Sequence, residues 1–320
     1  MPSLKEELGR VLVELGKEYK NLVVITGDLG KSTGVSAFEV FPERYFNLGI
    51  SEQDMIGTAA GLASAERIPV VSTYATFLAG RAWEQIRNSV ARDALNVKMI
   101  ATHSGITPAA DGSSHQSFED IALMRVIPGM TLVLPADVTE MRQAVRAAVK
   151  MNGPFYIRLG RGEIPEIFND EDGFEVGKAR RITDGPDVGI VASGFLLAEA
   201  IEAGKLLRKE GISASVVDMH TIKPLDVESI VEVARKTGAL VTVEDHNVLG
   251  GLGGAVTEIL CSNTPIPVEM IGIRDRFGES GDLHQLMELH GLTASHIAEA
   301  ARRAISRKDN IAVATASEIS

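Results

Sequence analysis

The sequence predicts an α/β protein of two consecutive domains, each with a mainly parallel sheet flanked by helices. Three observations lead to this. Segments with apolar residues at helical spacing alternate with short unbroken apolar runs, the pattern of strands buried on both faces. The alternation breaks once, at an acidic stretch without periodicity, and then resumes. Clusters of polar residues follow the apolar runs, and ligands of parallel α/β sheets bind beyond the carboxyl ends of strands.

In chain order, Leu4, Leu8, Val11, Leu12 and Leu15 place a helix over 4–19, and residues 22–26 read as a strand. Further strands are expected at 68–73, 97–102, 131–134 and 155–158, with helices at 51–65, 79–93, 117–126 and 137–151. These make a first domain over 1–162. The connector, 163–185, opens with Glu163-Ile164-Pro165-Glu166 and runs on through Asn169-Asp170-Glu171-Asp172-Gly173. The second domain, 186–320, has expected strands at 188–191, 214–218, 240–244 and 268–271, and helices at 196–210, 226–236, 251–262, 281–288 and 293–307. From Lys308 onward no strong pattern remains, so the tail is expected to be mobile or docked on a neighbour.

With 320 residues, 45% of them hydrophobic, the chain can bury two cores. No apolar run is long enough to span a bilayer, and the charged start, with Lys5, Glu6 and Glu7, is unlike a signal peptide, so a cytoplasmic protein is expected. A formal net charge of -11 argues against general nucleic-acid binding. The single cysteine, Cys261, excludes an internal disulfide and falls on the expected apolar face of a helix, as a core thiol would.

Asn47-Leu48-Gly49-Ile50-Ser51-Glu52-Gln53-Asp54 precedes a run of small residues, Gly57-Thr58-Ala59-Ala60-Gly61. Ser51 reads as an N-cap with Asp54 completing a capping box, which puts Glu52 in the first helical turn, where the helix dipole favours a carboxylate. The small residues behind it suggest a buried helix, and a buried acid is either paired or functional. A second cluster is His103, Asp111 eight positions later, and His115 four after that, in a loop of Gly, Pro and Ser. A lone histidine would read as structural, and zinc lacks a third ligand at short spacing, so no metal ligands are expected. Arg158 is expected to form a structural ion pair and Trp83 to pack on a subunit interface. The glycines of 250–254 are expected to let a helix start tightly against its strand, and His220, His246, His284, His290 and His296 carry structural readings only.

Gly49-Ile50-Ser51-Glu52-Gln53 followed by Tyr74-Ala75-Thr76-Phe77 resembles the pyrimidine-binding domain of transketolase and its thiamine-diphosphate relatives. The His103–Asp111–His115 spacing, Tyr156-Ile157-Arg158-Leu159-Gly160-Arg161 and the 218–226 and 244–254 segments extend the resemblance over residues 5–307, the second half resembling the transketolase C-terminal domain. The resemblance implies thiamine diphosphate as cofactor, with Glu52 on N1′ of its aminopyrimidine and Tyr74, Phe77, Ile50 and Asp28 around it. It implies sugar-phosphate contacts from Ser32, His103, Asp111, His115 and Arg161, with Glu52, His103 and His115 acting in catalysis. The family motif for the cofactor diphosphate and Mg2+, a Gly-Asp-Gly followed by an Asn pair, is absent from the sequence. A family arginine would fall near Pro2-Ser3, and Gly80 stands where a further contact to the ring is common. The expectation is therefore the C-terminal half of a split transketolase, active only with an N-terminal subunit that ligates Mg2+, in a heterotetramer with two copies of each half. It would transfer a two-carbon ketol group from a ketose phosphate to an aldose phosphate. A 2-oxo-acid dehydrogenase β subunit, a 1-deoxyxylulose-5-phosphate synthase-like protein and a non-catalytic assembly subunit are the alternatives.

Overall fold

A computed structural model of the protein describes the backbone of residues 3–319 and the side chains of residues 3–310. Its strands are β1 Leu22–Thr26, β2 Tyr45–Asn47, β3 Ile68–Tyr74, β4 Lys98–Thr102, β5 Thr131–Val133, β6 Phe155–Arg158, β7 Arg180–Arg181, β8 Val188–Ala192, β9 Ala214–Asp218, β10 Thr221–Lys223, β11 Leu240–Asn247 and β12 Val268–Ile273. They form a seven-stranded sheet, β10-β5-β6-β4-β3-β1-β2, and a five-stranded sheet, β12-β11-β8-β9-β7. Both are parallel except at one edge each, where β10 runs antiparallel to β5 and β7 antiparallel to β9.

The apolar runs become central strands because helices cover both faces. β1, β4 and β8 are buried at every position. Helix Leu4–Glu18 starts at Ser3, whose hydroxyl accepts the Glu6 amide, and lays Leu8, Val11, Leu12 and Leu15 on the first sheet with no exposure. Each such side chain contributes about 1.5–3 kcal/mol of burial. Asp137 and Asp226 cap helices Val138–Lys150 and Val227–Thr237 in the same way.

The two halves interlock. β10 belongs by sequence to the second half yet closes the first sheet, and β7, inside the expected connector 163–185, joins the second. Arg158, from β6, reaches across to Asp245 of β11: its Nη1 donates to Asp245 Oδ1 at 2.6 Å, and its Nε to Asp120 at 2.9 Å. Gly105, at φ +55°, lies against the same Asp245, and a Cβ there would fall 1.8 Å from the Asp245 Oδ2. The glycine run acts as expected. Glu244 accepts the amides of Leu252 and Gly253 at 2.7 and 2.8 Å, and a Cβ on Gly251 would lie 2.0 Å from its carboxylate.

Several local expectations are corrected. The helix of 79–93 is broken into Ala75–Arg81, Trp83–Gln85 and a wide π turn over Ile86–Ala91, with the break just after the exposed Gly80. The helix of 117–126 begins only at Asp120, because Ser117 forms an antiparallel bridge to Gly105. Ser51 does not cap: its hydroxyl donates back to Leu48 O. The Gly57 and Gly61 face of that helix is exposed, while Met55, Ile56, Ala59 and Ala60 are buried. Cys261 is exposed, one position past the buried Leu260 and so rotated off the apolar face. The last helix runs from Ala294 to Ile319, through the tail that showed no strong pattern. Among the described residues no helix is long and apolar enough to cross a membrane.

Candidate active site

The carboxyl ends of β1, β3, β4 and β6 and the start of helix Glu52–Ser64 bring most of the expected residues together. β3 ends at Tyr74, and helix Ala75–Arg81 follows at once, so Tyr74 and Phe77 project from one tight strand-to-helix junction. Their rings lie 5.9 Å apart and nearly parallel. β4 delivers His103 immediately beyond its end, in a left-handed conformation (φ +53°) that points the imidazole back onto Tyr74 at 3.9 Å. Such a conformation is costly for a residue with a side chain and is common at functional sites. His115, from the loop that follows, meets the Phe77 ring edge-on at 5.3 Å.

Glu52 is only 2% exposed. Arg81 donates to its Oε2 at 3.1 Å, and Thr73 Oγ1 lies 3.5 Å from its Oε1. Arg81 also covers the Phe77 ring at 4.1 Å, while its own side chain remains 49% exposed. Arg81 was not among the expected site residues, because the sequence places it at the start of a helix read as packing on a subunit interface.

The other end of the aromatic row opens into a cavity of about 190 Å³, lined among others by Ser3, Lys5, Ser32, Thr102, His103 and Arg161. Ser32 Oγ is 2.6 Å from Tyr74 Oη and 3.5 Å from His103 Nε2, so it ties the cavity to the ring stack. Arg161 Nη1 donates to Asp111 Oδ2 (2.7 Å), and its amide donates to Thr107 Oγ1 (3.0 Å). Burial and the nearby Arg161 guanidinium hold the His103 imidazole down to about 4, against an ordinary value of 6.5, so it is neutral around pH 7. Lys5 adds to that positive field and was missed in the sequence for a plain reason: a lysine in the first turns of an amphipathic helix reads as a solvated charge. Pro2, where a family arginine would fall, lies outside the described residues.

Two expected residues stand apart. Ile50 is 74% exposed and does not line the cavity. Asp28 is also exposed; its amide donates to Asn47 Oδ1 at 2.9 Å, and Asn47 Oδ1 accepts the Gly49 amide as well, so the two loops lie side by side at the surface near Glu52. The site is thus a row running from the Lys5–Arg161 cavity through Ser32, Tyr74, His103, Phe77 and His115 to Arg81 and Glu52. Such a row can hold an anion at one end and a flat ring beside a carboxylate at the other.

Known proteins resemble this chain along most of its length. The family described as transketolase, pyrimidine binding domain, matches residues 1–166, and transketolase, C-terminal domain, matches residues 177–297. A Methanocaldococcus jannaschii protein bearing the name of a transketolase C-terminal section is 46% identical over 300 residues, covering 92% of this chain and 94% of its own. A 6-deoxy-6-sulfo-D-fructose transketolase subunit of a Clostridium species is 40% identical over 307 residues, covering 96% of this chain and 95% of its own. Among solved structures, one described as a split gene transketolase, inactive beta4 tetramer, superposes with a TM-score of 0.90 at 48% identity, covering 96% of this chain and 100% of that one. The chain belongs to the transketolase family, with that family's pyrimidine-binding and C-terminal domains.

Proposed function

We propose that this chain supplies the pyrimidine side of a thiamine-diphosphate site and the sugar-phosphate side of a two-carbon ketol transfer, completed by a separate N-terminal subunit. The observation that carries the reading is the unbroken row from a basic, hydroxyl-lined cavity to a buried carboxylate, with aromatic rings between them. The residues suit the pyrimidine half of the cofactor: a 2% exposed acid beside a Tyr–Phe–His wall is what a flat ring with a protonatable nitrogen requires. Held there by Glu52, Tyr74 and Phe77, the cofactor would supply nucleophilic carbon chemistry for a ketose carbonyl.

In this reading Glu52 holds a proton at N1′ of the aminopyrimidine, and Tyr74 and Phe77 exclude water from its ring. Ile50 and Asp28, exposed on this chain, meet the cofactor and the partner subunit together. Arg161, Ser32, His103 and Lys5 hold the sugar phosphate, with guanidinium and ammonium supplying charge and the neutral imidazole and hydroxyl supplying direction. Asp111 orients Arg161 and, with His115, takes up sugar hydroxyls. Cofactor diphosphate and Mg2+ are assigned to the partner subunit, because the sequence lacks their motif. Two copies of each half would then form the working assembly, in the cytoplasm. The 48%-identical structure described as an inactive beta4 tetramer supports a chain that turns over nothing alone.

The test is reconstitution. This chain, the N-terminal subunit, thiamine diphosphate and Mg2+ are combined with ketose and aldose phosphates, and ketol transfer is followed; the chain alone should be silent. Decarboxylation of 2-oxo acids with acyl transfer to a lipoyl protein would identify a 2-oxo-acid dehydrogenase β subunit instead. Condensation of pyruvate with glyceraldehyde phosphate would identify the deoxyxylulose-phosphate reaction, and silence with every pair an assembly subunit. The cavity beside His103 favours a phosphorylated substrate, which a lipoyl-linked reaction does not need.

A further inference from the structure

Where the two halves meet, a set of buried ionisable groups takes no part in the row described above. Glu140 comes from helix Val138–Lys150, Asp218 from the end of β9 and His220 from the residue before β10; each is 0% exposed. One ligand-type atom from each lies within 4.8 Å of the other two. Glu140 Oε1, both Asp218 carboxylate oxygens and His220 Nε2 have no hydrogen-bond partner. Buried polar groups left unpaired are costly, the more so if charged, so four acceptors converging at one place favour a positive centre between them besides the Arg180 guanidinium at their edge.

The surroundings specify what that centre is. His220 Nδ1 lies 2.8 Å from Thr221 Oγ1. An N–H donated there leaves the Nε2 lone pair facing the acids, the arrangement in which imidazoles bind metals. Asp137, the neighbouring carboxylate, is already satisfied by the amides of Glu140, Ile167 and Phe168 at 2.7, 2.8 and 2.7 Å. Arg180 lies 3.4 Å from Glu140 Oε1, stacked on Phe168 at 4.3 Å and donating to Gln143; its Nε and Nη1 are buried without a hydrogen-bond partner, and it bonds neither Asp218 oxygen. With all three ionised, Asp137, Glu140 and Asp218 against one guanidinium would leave two negative charges uncompensated. A proton shared by the acids cancels one of them and leaves His220 Nε2 orphaned. A dication cancels both and gives all three side chains a partner.

We propose that Glu140, Asp218 and His220 form a structural site for a divalent transition-metal ion, zinc or manganese, that joins the pyrimidine-binding half to the C-terminal half. The mixed imidazole and carboxylate donors favour such an ion over Mg2+ or Ca2+, which take oxygen. It is separate from the Mg2+ assigned to the partner subunit. No helix in the sequence displays these three residues together, and no motif marks them, because they converge only through the interlocking of the halves.

The test needs neither partner nor turnover. The full chain, purified without chelators from medium containing zinc and manganese, should carry about one equivalent of metal by mass spectrometry. Chelation should lower its melting temperature, and re-addition of Zn2+ or Mn2+ should restore it. Co2+ in place of the native ion should give visible d–d bands without a thiolate charge-transfer band. Asp218→Asn and Glu140→Gln should lose the metal. Should either variant fail to fold, the chelation and cobalt measurements on the native chain decide alone. A folded native chain that holds no metal above background after dialysis against Zn2+ and Mn2+, with an unchanged melting temperature, overturns the proposal in favour of a shared proton.

Discussion

Replacing Arg158 by methionine measures how firmly the two halves are joined. The Arg158 side chain is 3% exposed, and its partners Asp120 and Asp245 are 0% and 2% exposed. Its Nε donates to Asp120 at 2.9 and 3.1 Å, its Nη1 to Asp245 Oδ1 at 2.6 Å, and its Nη2 to Ser117 O and Asp245 O, both at 3.2 Å. Methionine keeps much of the volume but leaves two carboxylates in a dry seam, with Tyr156 Oη (3.1 Å to Asp120) as the remaining side-chain donor. Breaking a buried ion pair from one side costs about 3–5 kcal/mol, a large fraction of the roughly 5–15 kcal/mol that holds a domain together. At about 2 °C per kcal/mol for a chain of this size, the melting temperature should fall by about 6–10 °C. The assay is thermal and urea unfolding at fixed protein concentration, since any self-association would shift both. Adding Asp245→Asn should recover part of the loss, because it removes one stranded charge. A change below about 1 kcal/mol, the range of an exposed pair, would refute the assignment of this cluster as the joint.

Glu52→Gln in the reconstituted enzyme should lower turnover by about 100-fold or more with circular dichroism unchanged, since the amide cannot hold the N1′ proton; an unaltered rate supports an assembly role instead. Lys5→Ala should raise KM for phosphorylated sugars by about 10- to 100-fold, as expected for losing a charged hydrogen bond, while leaving kcat and activity on unphosphorylated sugars nearly unchanged. A phosphate dianion in the His103 cavity should raise that imidazole from about 4, checked by NMR titration of the ring with and without inorganic phosphate. The same depressed value bears on stability without phosphate: the neutral ring's contribution is complete above about 6.5 and is lost as pH falls toward 4. Gly105→Ala should destabilise the chain by about 2 kcal/mol or more, because the methyl would lie 1.8 Å from Asp245 Oδ2 at φ +55°, and chemical unfolding reads this directly.

The parts of the site legible in the sequence are those whose chemistry is local. Tyr74 and Phe77 flank one strand-to-helix junction, and His103, Asp111 and His115 share one loop, so their spacing survives folding unchanged. The apolar runs marked the long central strands for the same reason. The short edge strands did not show: β2, β7 and β10 are two or three residues long, too short for any period, and they form only because a neighbour offers free backbone groups. Arg81 and Lys5 were hidden because an exposed cation on a helix has the same appearance whether or not an acid or a cavity lies beneath it. Cys261 and Ser51 were misplaced by a single residue of helical phase or a single turn of backbone, distinctions that packing makes and composition does not.

The short antiparallel strand at Thr221–Lys223 constrains how this protein could be divided. A protease or a designer cutting within 163–179 would strip that border from the seven-stranded sheet, leaving β5 with bare amides and carbonyls that invite a foreign strand. Domains that family profiles count separately would then prove inseparable as soluble pieces, and the natural unit for transplantation is the pair.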